Sequence, residues 1–242
     1  MKIPARAFVT VLGLSVFCFG VPAFGQAVVS VDFTGGYTAT FEDFGAGIYS
    51  ATINGASSPG IICDDFKDEV TSGEKWNANA YQASSLTSSN IGETLFGNSI
   101  GLTGYAEVAT LVSMMFGNGT SYGGINGITQ SDLSSAIWDI TTPGGISGLN
   151  GKAKHLVKAV EWAFNGSNSK ATAYLDTLTN LWILTPDPKS GVGSGEPQEM
   201  WTERLNVPEG GSALMYLLLA GFTCFGAMFF KNRSQIRNRE TV

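Results

Sequence analysis

One histidine in 242 residues removes a large part of metal and acid–base chemistry before any motif is sought. A centre built on several imidazoles, a two-histidine proton relay and most zinc sites need ligands that this chain does not own. His155 itself falls on the polar face of a predicted helix beside Lys154 and Lys158, where it reads as a surface side chain. Cysteine is scarce too. Cys18 and Cys224 lie in long apolar runs, so Cys63 is the only thiol of the polar body, and no internal disulfide can brace that body. A phosphate loop and a dinucleotide fingerprint are both missing, and Ser147, between Gly145-Ile146 and Gly148-Leu149, lacks the flanks of a nucleophile elbow. No cofactor and no metal site is expected. The chain is rich in glycine, with 31 residues, but shows no three-residue period, which suits tight turns rather than a fibre.

What the chain does have is concentrated first at its two ends. Lys2 and Arg6 precede an apolar run from Ala7 to Val21, and Ala23-Phe24-Gly25 places small residues where signal peptidase reads, predicting cleavage before Gln26. Phe17 stands where a lipoprotein signal needs a small residue before Cys18. At the other end, 19 uncharged residues run from Ser212 to Phe230, enough at about 1.5 Å per residue to cross a hydrocarbon core of roughly 30 Å. Lys231, Arg233, Arg237 and Arg239 follow, and basic residues of this kind stay on the cytoplasmic side. The expected organisation is a signal peptide at 1–25, an extracytoplasmic domain at 26–203, a linker at 204–211, a transmembrane helix at 212–230 and a basic tail at 231–242.

The linker carries Val207-Pro208-Glu209-Gly210-Gly211 immediately before the span. This order of Pro-Glu motif, single span and arginine-rich end resembles the sorting region of the PEP-CTERM proteins, bacterial envelope proteins processed by exosortase. Gly210 stands where that family usually has a second proline, giving a Pro-Glu-Gly-Gly variant. The resemblance covers residues 207–239 and implies recognition at Pro208 and Glu209 by an exosortase-like enzyme, cleavage nearby, and attachment or release of the domain at the cell surface. It describes delivery, not activity.

Between Gln26 and Asn206 the chain carries eight basic and eighteen acidic residues, a balance of −10 against −6 for the whole. An acidic body repels phosphate backbones, so nucleic acid is excluded as a partner, while cations, exopolysaccharide and other surface proteins stay open. Periodicity predicts an α+β fold, an antiparallel sheet with about four packed helices. Val29, Val31 and Phe33 alternate, Gly35-Gly36 reads as a turn, and Tyr37, Ala39 and Phe41 alternate again. Further strands are expected at Ile48–Ile53 and Ile61–Cys63, with turns at Asn54-Gly55 and Ser58-Pro59-Gly60. Trp76 to Leu95 reads as loop and short helix. Helices are expected at Tyr105–Phe116, from a Ser131 cap through Leu133, Ile137 and Trp138 to a stop at Thr142-Pro143-Gly144, at Gly151–Phe164 and at Ser169–Leu178. Leu181–Thr185 and Gln198–Leu205 read as closing strands around a loop at Gly191–Pro197.

Two short motifs bear on chemistry. Ile62-Cys63-Asp64-Asp65-Phe66 and Ser134-Ser135-Ala136-Ile137-Trp138-Asp139 resemble signatures of the thioester domains of bacterial adhesins, in which a cysteine bonds to a glutamine four residues before the tryptophan. Here that position is Ser134, which has no acyl group, and Gln130 is eight residues from Trp138. The resemblance therefore implies a thioester remnant, with Cys63 a small buried residue at a strand end and Ile137 and Trp138 in the core. Asp64, Asp65, Asp68 and Glu69 lack the spacing of a calcium loop and read as a solvated acidic turn, as does Asp187 to Glu196. Trp76, Tyr81, Tyr122, Trp162 and Trp201 are expected to include exposed rings suited to sugars. The expectation is a non-enzymatic extracellular matrix or adhesion protein. The alternatives are a covalent thioester-type adhesin using Cys63, or a secreted carbohydrate-acting hydrolase with dispersed acids.

Overall fold

A computed structural model of the chain describes residues 27–68, 70–188 and 197–205; the predicted signal peptide, the sorting motif Val207–Gly210, the span and the basic anchors Lys231, Arg233, Arg237 and Arg239 lie outside them. The fold is α+β, as expected. Strands β1 (Ala27–Phe41), β2 (Phe44–Ile53), β3 (Ala56–Ser57), β4 (Ile62–Cys63), β5 (Lys75–Gln82), β8 (Trp182–Pro186) and β9 (Met200–Thr202) form one antiparallel sheet in the order β3-β2-β1-β5-β8-β9-β4. Helices α1 (Gly97–Phe116), α2 (Gln130–Thr141), α3 (Gly151–Phe164) and α4 (Asn168–Leu175) pack beside it, and β6 (Ser121–Tyr122) and β7 (Ile125–Asn126) make a small separate hairpin.

The sheet curls back on itself. Tyr49 of β2 and Ile61, next to the far edge strand β4, exchange backbone hydrogen bonds of 2.8 and 3.0 Å, so the two sides of the sheet meet. The enclosed face holds Val29, Val31, Phe33, Ile53, Trp76, Ala78, Leu184, Met200 and Cys63 as one apolar cluster. A second and larger cluster joins the four helices to the outer face through Ile62, Tyr81, Ile183 and Trp201. Strand alternation thus serves two cores, because successive side chains point to opposite faces. Trp201 enters the helical core and its neighbour Met200 the enclosed one.

Several elements depart from expectation for identifiable reasons. Gly35-Gly36 is no turn: both glycines, at φ +83° and +79°, lie within β1, where shifts in register against β2 bend the strand without ending it. The reversal falls at Glu42-Asp43, and the bent part of the hairpin carries Phe41 and Ala46 into the helical core. Residues 75–82, expected as loop and short helix, form β5, the strand between β1 and β8; its buried alternation of Trp76, Ala78 and Ala80 is hidden by asparagines on the other face. Helix α1 begins eight residues before Tyr105, and its first turn is set off from the rest by Gly101 at φ 64°, ψ −172°. It is long and apolar enough for a membrane span, but most of it is buried in the domain, as befits a core helix. The cap of α2 is Thr129, not Ser131, because Asp132 returns the bond in a capping box. Helix α4 stops at Leu175, and the last strand keeps only Met200–Thr202.

Candidate functional site

Antiparallel pairing of β4 with β9 sets Ile62 opposite Trp201 and Cys63 opposite Met200. One step further the ladder continues through a bond of 3.4 Å from the Asp64 amide to the Glu199 carbonyl. Two adjacent residue pairs follow from this register. Cys63 and Gln198 meet on the cleft side, and Asp64 and Glu199 on the helical side.

Cys63 is 3% exposed and Gln198 8% exposed. The Cys63 Sγ lies 3.0 Å from Gln198 Oε1 and 2.9 Å from the Asp65 carbonyl oxygen, and it accepts the Asp65 amide at 3.3 Å. A thiol has one proton to donate, so it cannot satisfy both oxygens at once. The Gln198 amide Nε2 also donates to the Asp65 carbonyl, at 3.2 Å. That carbonyl therefore holds the thiol and the carboxamide side by side. Burial, then the charges of Asp64 and Asp65, push the Cys63 thiol well above its ordinary range, so it is kept protonated.

Trp138 supports the pair from α2, donating its indole N–H to the Cys63 carbonyl at 3.0 Å and packing on Phe66 at a ring-centre distance of 5.3 Å. Ser134, one turn earlier, turns instead to β2 and accepts the Gly47 amide at 2.8 Å. Gln130 accepts the Thr38 hydroxyl and is likewise engaged elsewhere. So the structure brings Cys63 and Trp138 together as the motifs suggest, while the carboxamide at the thiol arrives from residue 198. The sequence offers one cue, the parallel between Cys63-Asp64 and Gln198-Glu199, but only the strand register makes it visible.

A cleft of about 430 Å³ opens over this pair, lined by Cys63 and Gln198 together with Phe33, Tyr37, Tyr49, Phe66, Trp138, Asp43, Asp65 and Asp68. Tyr37 and Phe44 expose their rings at its rim. Asp65 is not the solvated acid expected. Burial is the main reason its carboxyl is pushed up to about 7, with Asp68 adding to the shift and the amides of Lys67 and Asp68 opposing it. Asp64 departs further, at 0% exposed, and Glu69 lies outside the described residues.

Asp64 and Glu199 form a buried pair of acids. Glu199 accepts the Tyr105 and Thr185 hydroxyls and, at 2.9 Å, the Leu95 amide. Asp64 accepts one indole, Trp201 Nε1 at 2.6 Å, and its Oδ1 has no N–H or neutral hydroxyl to accept. Burial first, then the facing Glu199, push the Asp64 carboxyl well up. Burial pushes the Glu199 carboxyl up as well, against the bonds from Thr185, Tyr105, the Leu95 amide and Asp64 that oppose it, so the two buried acids retain a proton between them.

The remaining candidates separate cleanly. Trp76, Tyr81 and Trp201 are buried, Tyr122 is half-buried, and only Trp162 stands out, at 83% exposed. His155 is exposed on α3. Among the described residues no group of three or more histidine, cysteine, aspartate or glutamate side chains could hold a metal ion. The chain matches no family model, and searches of curated proteins and of solved structures find no match to it.

Proposed function

We propose that this chain is an exported cell-envelope protein of adhesion or extracellular matrix, sorted through Val207-Pro208-Glu209-Gly210 and acting by attachment rather than by turnover. Of the forms that attachment could take, the covalent one is best supported. The observation that carries it is the Cys63 Sγ at 3.0 Å from Gln198 Oε1 inside a buried site.

Attack of the sulfur on the Gln198 carboxamide carbon forms a C–S bond and breaks the C–N bond. The thiol proton goes to the departing nitrogen, which leaves as ammonia. The Asp65 carbonyl, which accepts from both the thiol and Nε2, keeps that proton beside the nitrogen that needs it. A primary amine on a surface protein or on an exopolysaccharide then attacks the acyl carbon from the cleft. That step forms an amide to Gln198 and returns the thiol to Cys63.

The test is the intact mass of the full-length chain in detergent. Thioester formation lowers it by about 17 Da, and methylamine then raises it by about 31 Da with appearance of one free thiol. A chain of unshifted mass whose Cys63 reacts at once with a thiol reagent would sink the covalent reading and leave the non-covalent one.

A further inference from the structure

The contact between Cys63 and Gln198 depends on the register of β4 against β9, whose outer partners are β8 on one side and the Tyr49–Ile61 bridge on the other. Strand β4 has two residues and β9 three, so the ladder between them is very short. A slip that keeps each side chain on its own face is two residues, about 6.6 Å, and would part the thiol from the carboxamide. Immediately behind both residues, on the opposite face, stand Asp64 and Glu199, each 0% exposed.

We propose that Asp64 and Glu199, facing each other across the β4–β9 ladder, are the positioning residues that hold Cys63 against Gln198. This rests on the thioester reading for its consequence, though not for its geometry. The pair is anchored from four sides: Trp201 of β9 holds Asp64, while Tyr105 of α1, Thr185 of β8 and the Leu95 amide hold Glu199. Thr141 of α2 also donates to the Asp64 carbonyl. Glu199 accepts from three donors, which leaves room on Oε1 for one more, and Asp64 Oδ1 accepts from none, so a bond between the two carboxyls needs a proton shared by the pair.

Removing that proton places two anions face to face in the core. The titratable groups around them are Cys63 and Asp65 on the Asp64 segment, Tyr105 from α1 and Tyr81 from β5, none of them basic. Nothing among these groups offsets the second charge, so the two segments separate and the thiol leaves the carboxamide.

Asp64→Asn separates this from a general structural role. Its amide donates to Glu199 and its oxygen accepts from Trp201, copying the protonated acid at every pH. The readouts on the full-length chain in detergent are the yield of the species lighter by about 17 Da and the rate of Cys63 labelling by a maleimide, each from about pH 5 to about pH 9.

The wild type should lose cross-link yield by about tenfold as the pH rises, its thiol becoming correspondingly faster to label than that of the variant at the same pH. Asp64→Asn should hold its yield, and Glu199→Gln, which removes the second charge, should flatten the profile in the same way. Identical pH profiles for wild type and Asp64→Asn, in yield and in labelling, would overturn the proposal. If no lighter species forms in any chain, the thioester reading fails. The labelling ratio then still decides the clamp: a wild type that opens with pH beside an Asn variant that does not supports it, and equal rates refute it.

Discussion

Raising the pH from about 5 to about 8 is expected to weaken this domain, the reverse of the trend in proteins whose carboxylates are ion-paired. Asp64 and Asp65 both have carboxyls pushed up by burial, so the folded chain holds protons that the unfolded chain releases near pH 3.9. With more protons bound in the folded state, the stability is greatest below the unfolded value. It falls as the pH climbs toward each folded value, by about 1.4 kcal/mol per pH unit for each proton retained. For Asp65, raised to about 7, the part of the window above about pH 5 is about two units and its ceiling about 3 kcal/mol; halved for its partial contact with the cleft, about 1.4 kcal/mol remains. Asp64 adds its own slope for as long as its proton is kept.

An opposing contribution comes from Asp132 in the capping box of α2. Burial pulls its carboxyl up, but the bonds from Thr129 and Asn150 outweigh this and hold it low, and that stabilisation is lost only in acid. A domain stabilised by 5–15 kcal/mol should therefore lose about 2–4 kcal/mol, moving its urea midpoint down by about 1–2 M at a slope of about 2 kcal/mol/M. Urea titrations followed by tryptophan fluorescence at the two pH values measure it. A midpoint that is unchanged, or higher at the alkaline value, would refute the placement of these protons.

Trp138→Phe leaves the buried Cys63 carbonyl without its indole donor and should cost about 2 kcal/mol, read as a lowered urea midpoint and faster labelling of Cys63. Gly47→Ala should cost about 2–3 kcal/mol, since Gly47 has φ +83° and an added Cβ would stand 2.5 Å from Thr38 Oγ1 and 2.6 Å from Gln130 Oε1. Substitution at the open turn glycine Gly55, where nothing lies within 4 Å, supplies the control for φ alone. Mass spectrometry of the protein from its own cells should find residues 212–242 removed. Finding them still attached would reduce the chain to a plain membrane-anchored protein.

How far the sequence led differs from element to element. Helix α3 was legible because Ala153, Leu156, Val157, Val160 and Phe164 keep one face, while its Asn150 cap is seen only in the structure. The α+β class followed from the change of period between the first third and the rest. Strand β5 was not legible, since the asparagines on its outer face mask a buried row of small residues that only two neighbouring strands explain. Asp64 and Asp65 misled for a related reason: four acids within six residues look solvated unless the partners that bury two of them are known. Gln198 could not be chosen from spacing, being 135 residues from Cys63 and joined to it only by the closure of the sheet.

That separation has an energetic consequence which a short link would not have. A covalent bond between residues 135 apart closes most of the domain into one loop, and chain entropy alone assigns such a closure about 5 kcal/mol of stabilisation. Attack by an amine moves the acyl group from sulfur to nitrogen, so the domain gains a partner and loses its staple in the same step. Methylamine-treated protein should then melt lower than the intact thioester form, by up to about 5 kcal/mol in unfolding free energy, and the difference should vanish in Cys63→Ala. Calorimetry of the two mass-defined species measures this. Equal melting of the shifted and unshifted forms would show that the bond spans no constrained loop, and would remove Gln198 as the partner while leaving Cys63 free to have another.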